Sequence, residues 1–163
     1  MAITKAKKEE VVAKVGDALS NAASVVFVHF KGMTVEDTSA MRKELKGEGV
    51  GYMVAKKTLI RHALTAKGYT GTMPELPGEI ALAWSEGDPT LAARDIFQHS
   101  RKFKDALSIV GGVFEGEYQD AGAMNAIATI PPLPVLRGMF VNVINSPIQR
   151  LAIAMGQIAE KAA

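Results

Sequence analysis

The chain has 163 residues, 48% of them hydrophobic and 22% charged, with a formal net charge of +2; this is ordinary globular composition, enough for one domain with a core plus an appendage. It contains no Cys, which excludes disulfides and thiolate metal sites and fits a reducing compartment. No stretch carries the ~18 uninterrupted apolar residues of a membrane span, and the start MAITKAKKEEVV has no signal-peptide core, so neither a membrane span nor a signal peptide is expected.

Taken in order, Lys5–Ala22 places Val11, Val12, Val15, Ala18 and Leu19 at helical spacing, with Lys5, Lys7, Lys8 and Lys14 left for the other face. Lys7 and Lys8 also read as part of a basic arm able to reach RNA. Ser24–Phe30 (SVVFVHF) is apolar and rich in β-branched residues, and predicts a buried strand. Thr34 stands three residues before Asp37, a capping-box start for a helix to about Lys46. Gly47-Glu48-Gly49 turns the chain into a strand over Val50–Lys56. Thr58–Lys67 predicts a helix that Gly68 stops. Residues 68–78 are a loop on composition, and Glu79–Ser85 is a third strand. Pro89, after Asp88, is expected in the first turn of a helix to about Arg101. Ala106–Phe114 and Glu115–Gln119 read as strands split by Gly111-Gly112 and Gly116. Ala121–Thr129 is a short helix. Pro131, Pro132 and Pro134 mark a hinge before a long helix over Leu133–Ala163. Alternating strands and helices imply an α/β fold, a layered globular head over 1–130 with a mixed sheet and flanking helices, followed by a long C-terminal helix.

Charge is uneven along the chain. Residues 1–67 carry 12 Lys and Arg against 7 Asp and Glu, while 68–163 carry 7 against 10. The densest part is 40–67 (AMRKELKGEGVGYMVAKKTLIRHALTAK), where cations flank a Gly-and-valine strand. Lys56, Lys57, Thr58, Arg61 and His62 straddle a strand-to-helix junction, where open N–H groups and nearby cations attract phosphate. Lys57 and Arg61 share a face at i, i+4, and so do Arg42 and Lys46 on the preceding helix. Glu44 reads as a partner for neighbouring cations. The bland reading of the cluster is a solvated edge. Tyr52 is the main aromatic among these cations, which disfavours a base-stacking platform and favours backbone readout of a structured RNA.

Little else carries chemistry. His29, His62 and His99 have no ligand-spaced neighbours, so neither a metal nor a cofactor is expected. Gly47, Gly49 and Gly51 follow a helix, the wrong context for a dinucleotide loop. No phosphate loop and no nucleophile elbow is present. Trp84 and the Met residues read as core.

The last helix keeps apolar residues at 3–4 residue spacing: Leu136, Phe140, Ile144, Ile148, Leu151, Met155, Ile158 and Ala162. Val135, Met139, Val143, Ala152, Ile153 and Ala159 widen the stripe. At ~1.5 Å per residue it spans roughly 46 Å, against a radius of gyration of about 14 Å for the head. Its apolar surface is expected to stay exposed unless a partner covers it; a homodimeric coiled coil or packing on the head is the bland alternative. Pro147 predicts a kink, or a restart with Ser146 as N-cap.

The order of motifs resembles a known family. KGMTVEDTSAMRKEL (31–45), VGYMVAKKTLIRHAL (50–64), IALAWSEGDP (80–89), IVGGVFEGE (109–117) and IATIP (127–131) before a long helix are similar to the bacterial large-subunit ribosomal stalk-base proteins. The match spans nearly the whole chain, with Lys57 standing where members often have Asn. This resemblance implies a structural ribosomal protein rather than an enzyme. It implies that the head binds large-subunit ribosomal RNA beside a neighbouring large-subunit protein, and that the same surface can bind its own messenger RNA. It further implies that the C-terminal helix carries dimers of the acidic stalk protein, which recruits translational GTPases. Each dimer would take about ten residues. Residues 147–163 then leave room for two dimers either side of Gly156, on Ile148, Leu151, Ala152 and Met155 and on Ile158, Ala159 and Ala162. The stretch 135–144 is assigned to packing on the head or hinge. A small nucleotide-binding α/β enzyme and a free-standing RNA-binding regulator are the other two readings.

Overall fold

In the computed structural model, which describes residues 5–103 and 106–162 with side chains from Glu9 through Lys161, the run SVVFVHF becomes the middle strand of a five-stranded sheet. The elements are α1 (Lys5–Asn21), β1 (Ser24–Phe30), α2 (Val35–Gly47), β2 (Val50–Val54), α3 (Lys57–Lys67), β3 (Ile80–Ser85), α4 (Leu91–Phe103), β4 (Leu107–Phe114), β5 (Glu117–Asp120), α5 (Ala121–Ala128) and α6 (Leu133–Ala162). The strands lie in the order β2-β3-β1-β4-β5. Every strand pair is antiparallel; the one parallel contact is the isolated bridge between Thr70 and Glu117. The chain divides into two compact units, Met1–Ile130 and Pro131–Ala163.

β1 is buried on both faces, from Val25 to Val28. Side chains alternate across a strand, so each face needs its own helical cover. Val26 and Val28 pack with Met41 and Leu45 of α2, Ile96 of α4 and Met124 of α5. Val25 and Phe27 pack with Val15 and Leu19 of α1 and Ile60 and Leu64 of α3. The head is therefore three layers, with α2, α4 and α5 on one side and α1 and α3 on the other.

Local chemistry sets the boundaries. Thr34 caps α2, accepting from the Asp37 N–H at 3.1 Å, and its hydroxyl donates to Asp37 Oδ2 at 2.6 Å. Gly68 ends α3 in the left-handed region at φ 68°, which glycine adopts at least cost. α4 starts two residues beyond Pro89, not around it. Asp88 accepts from the Thr90 N–H and hydroxyl at 2.9 and 2.8 Å, which holds Pro89 in a turn ahead of the helix. Gly111-Gly112 does not split β4, which runs straight through. Its partner register slips between Phe27 and Val28, so the glycines sit at a bulge rather than at a turn. A Cβ on Gly112 would lie 2.4 Å from the Val25 carbonyl oxygen and 2.8 Å from Met124 Cε. Gly51 is needed for the same kind of reason: opposite it in register is Trp84, whose ring would lie 2.3 Å from a Cβ. Pro147 neither restarts nor caps a helix. α6 runs through it unbroken, and the Ser146 hydroxyl donates back to the Val143 carbonyl at 2.9 Å instead of capping.

Between α2 and α4 lies a buried polar cluster. Asp95 is 5% exposed and His99 7%, and Asp95 Oδ2, Arg94 Nη1 and His99 Nδ1 have no hydrogen-bond partner. Burial, then the Glu48 carboxyl beside it, push Asp95 up to about 7; Arg94 opposes and Asp88 adds to the rise. Burial, then Lys102, hold His99 below its ordinary value, against Glu44 and Glu48. Glu44 itself meets α4, not its helix neighbours: Lys102 Nζ at 3.4 Å and His99 Nε2 at 3.6 Å. Sequence spacing gave His99 no carboxylate because this one stands more than fifty positions away on another helix.

Gly112→Ala is expected to cost about 1–3 kcal/mol of unfolding free energy by overpacking, measured by urea titration. Gly47→Ala, where a Cβ meets nothing within 4 Å, should leave the midpoint unchanged or slightly raised. Asp95 gives a pH signature. A carboxyl whose folded value is raised contributes stability that is complete below the ordinary 3.8 and is lost as pH climbs to about 7. The Tm of Asp95→Asn should match the parent near pH 4 and exceed it increasingly up to pH 8.

Candidate nucleic-acid interface

α3 begins where β2 ends. Lys56 is its N-cap, in extended conformation, with no side-chain hydrogen bond to the helix start. Its first turn holds no acidic residue, whereas α2 opens with Glu36 and Asp37. Ile60, Ala63 and Leu64 turn into the core and so fix the helix rotation. Lys56, Lys57, Thr58, Arg61 and His62 are all left exposed. Among the described residues no carboxylate lies within 4 Å of Lys56, Lys57 or Arg61. Cations at a helix N-terminus oppose its dipole, so this junction is electrostatically unsatisfied by its own fold.

Beside it opens a cleft of about 620 Å³ with Val54, Ala55, Leu59 and Ile80 in its wall and Lys56 and Lys57 at its edge. A smaller hollow of about 380 Å³ adjoins it, sharing Phe30, Gly78 and Glu79 and adding His29 and Lys31. Gly78 has φ 64°, and a Cβ there would fall 2.5 Å from His29 Nε2, so His29 is a wall residue of this hollow. Lys31, which lines this hollow, is not singled out by the sequence because there it only ends a strand. The usable signal was topological: β1 and β2 both run antiparallel to β3, so the residues following each reach the same end of the sheet.

The structure separates the sequence-defined basic cluster into two. Arg42 and Lys46 lie on α2, across the sheet from α3. Both are exposed, and the Arg42 guanidinium sits 5.5 Å from the Tyr52 ring centroid. Tyr52 thus faces the α2 layer, away from Lys56 and Lys57. Lys7 and Lys8 stand on the first turns of α1, a helix rather than an arm, and their side chains lie outside the described residues. No group of three or more His, Asp or Glu among the described residues could hold a metal.

α6 presents a different surface. From Leu133 to Ile158 every large apolar side chain is exposed, Ile148, Leu151, Met155 and Ile158 by 68, 63, 63 and 67%. Ala152 and Ala159 are exposed too, and Ala162 lies outside the described side chains. Within the stretch 135–144, Phe140 and Val143 are each 68% exposed. Met139 and Met155 are likewise not core. Pro132 supplies the carbonyl that accepts from the Val135 and Leu136 N–H groups, and Pro134 sits within the first turn, where a missing donor is tolerated. Among the described residues no single helix is long and apolar enough to cross a membrane.

Residues 3–101 match the family model described as Ribosomal protein L10. The chain is 34% identical over 155 residues to the large ribosomal subunit protein uL10 of Shouchella clausii, covering 95% of this chain and 93% of that one. It is 33% identical over 155 residues to the protein of the same name from Lacticaseibacillus casei, covering 95% and 92%. The chain therefore belongs to the ribosomal protein L10 family, as a structural protein of the large subunit of the bacterial cytoplasmic ribosome and not an enzyme.

Proposed function

We propose that the head, residues 1–130, binds large-subunit ribosomal RNA chiefly through the start of α3, and that α6 carries dimers of the acidic stalk protein. The observation that supports RNA binding is the unsatisfied junction: Lys56, Lys57 and Arg61 exposed around a helix start with no side-chain cap and, among the described residues, no carboxylate within 4 Å. A phosphate there accepts N–H groups, meets three cations and releases counterions. Thr58 and His62 add donors on the same helix. Arg42 and Lys46, one layer away, serve a second stretch of backbone, and Lys7 and Lys8 extend the basic surface. The same surface would serve a messenger of similar shape, and a neighbouring large-subunit protein would complete the ribosomal site.

The tail reading is supported by the exposed apolar face of α6. Water tolerates no such run unless something covers it. Ile148, Leu151, Ala152 and Met155 form one docking segment and Ile158, Ala159 and Ala162 the next, with Gly156 between them. Pro131 and Pro132 provide a hinge ahead of the helix, Pro134 lies in its first turn, and Pro147 weakens the helix just before the first segment. Stalk dimers held this way would bring translational GTPases to the subunit.

Two measurements test these assignments. Replacing Lys56, Lys57 and Arg61 together should weaken binding to deproteinised large-subunit RNA. The slope of log affinity against log salt should fall by about 0.7–0.9 for each phosphate that is no longer neutralised; an unchanged slope in a folded variant removes the assignment. Native mass spectrometry of the full chain with the stalk protein should find two dimers. Leu151→Asp should remove one and Ile158→Asp the other, since each puts an unpaired charge into an apolar contact. A third dimer would make 135–144, also exposed, a docking segment as well.

A further inference from the structure

Phosphate contacts use cations and N–H groups; they leave unexplained the apolar cleft beside α3. At about 620 Å³ it falls within the ~300–1,000 Å³ of small-ligand sites. Val54, Ala55, Leu59 and Ile80 give it an apolar wall, and Val54 is 43% exposed. Lys56 and Lys57 line it, and Lys31 lines the adjoining hollow. Glu79 borders both hollows and, among the described residues, is the one carboxylate that lines them. Among the described residues it has no cation within 4 Å.

An apolar wall, lysines in the cleft and in the hollow beside it, and a single acceptor fit one unit of a polyanion. A nucleotide offers a base with apolar faces, phosphates on either side and, in three of the four bases, an exocyclic amino group. We infer that this cleft receives one unpaired nucleotide extruded from the large-subunit RNA. The base lies against Val54, Leu59 and Ile80, the flanking phosphates meet Lys56, Lys57 and Lys31, and an amino edge faces Glu79. Sequence-specific RNA recognition works on such splayed-out bases, because a paired base cannot leave its stack without cost. The carboxylate accepts from adenine, cytosine or guanine amino groups and has no matching donor on the exocyclic positions of uracil. This rests on the RNA-binding reading above, and adds to it a base-contacting site where that reading has only backbone contacts.

The test uses the full chain and deproteinised large-subunit ribosomal RNA. Val54→Trp fills the cleft and Leu59→Ser makes its wall polar; neither alters charge. Melting curves establish that both variants are folded. Each should lower affinity about tenfold while keeping the salt slope of the parent. Chemical probing of base edges should show one unpaired base protected by the parent chain and exposed with either variant. The Lys56, Lys57 and Arg61 triple variant should do the opposite: a shallower slope, with protection of that base restored at lower salt. Parent-like affinity and protection in both folded variants would overturn the inference. Parent binding with the expected salt slope but no single protected base would also overturn it, leaving the RNA reading intact. Absence of any salt-dependent binding by the parent would remove both.

Discussion

A strand buried on both faces must be covered twice, and β1 is such a strand. Val26, Phe27 and Val28 are wholly excluded from water, so apolar side chains leave β1 in both directions. The two helices flanking β2 satisfy this by going to opposite sides, α2 over one face and α3 over the other. That division decides where the basic residues go. Arg42 and Lys46 travel with α2, Lys56, Lys57 and Arg61 with α3, although they are close neighbours in sequence. The antiparallel order compensates in part. It brings the ends of β1 and β2 to the same end of the sheet, and so sets Lys31 near Lys56 and Lys57.

The starts of α2 and α3 make an internal comparison. α2 begins with a capping Thr34 and two acidic residues in its first turn, the arrangement that a helix dipole favours. α3 begins with lysines and no side-chain cap. Its stability comes instead from burying Ile60, Ala63 and Leu64. Each large aliphatic side chain among them contributes about 1.5–3 kcal/mol, more than the ~0.3–1 kcal/mol that a misplaced charge at a helix end costs. Packing thus holds the helix in place while its N-terminus keeps the wrong sign of charge. An anionic partner is the simplest way to satisfy it.

α6 inverts this relation. The head buries its apolar residues and displays its charges, whereas α6 displays apolar residues along its length with few charges among them. Pro147 within it removes one backbone hydrogen bond, and the Ser146 hydroxyl occupies the Val143 carbonyl nearby. Such a helix gains most of its stability from whatever covers it, as amphipathic helices in general do. The same apolar spacing that would form a core in the head leaves an exposed apolar face here.

Much of this was legible in the sequence. The alternation of apolar runs with helical periodicity placed every element near its observed position. Thr34, Gly68 and the prolines after Ile130 marked boundaries through chemistry that acts within a few residues. The basic excess of residues 1–67 and the apolar stripe of α6 were equally plain, because composition and period need no third dimension. What only the tertiary structure decided depends on contacts between distant residues. Glu44 pairs with His99 and Lys102 rather than with its own helix. Gly51 and Gly112 are glycines because Trp84, Val25 and Met124 approach them, not because the chain turns there. Above all, strand order and helix layer assigned the cations to two surfaces and opened a cleft beside one of them. Local propensity acts over a few residues and can be read along the chain; the choice of face for each helix is made by a sheet whose strands come from positions up to about ninety residues apart.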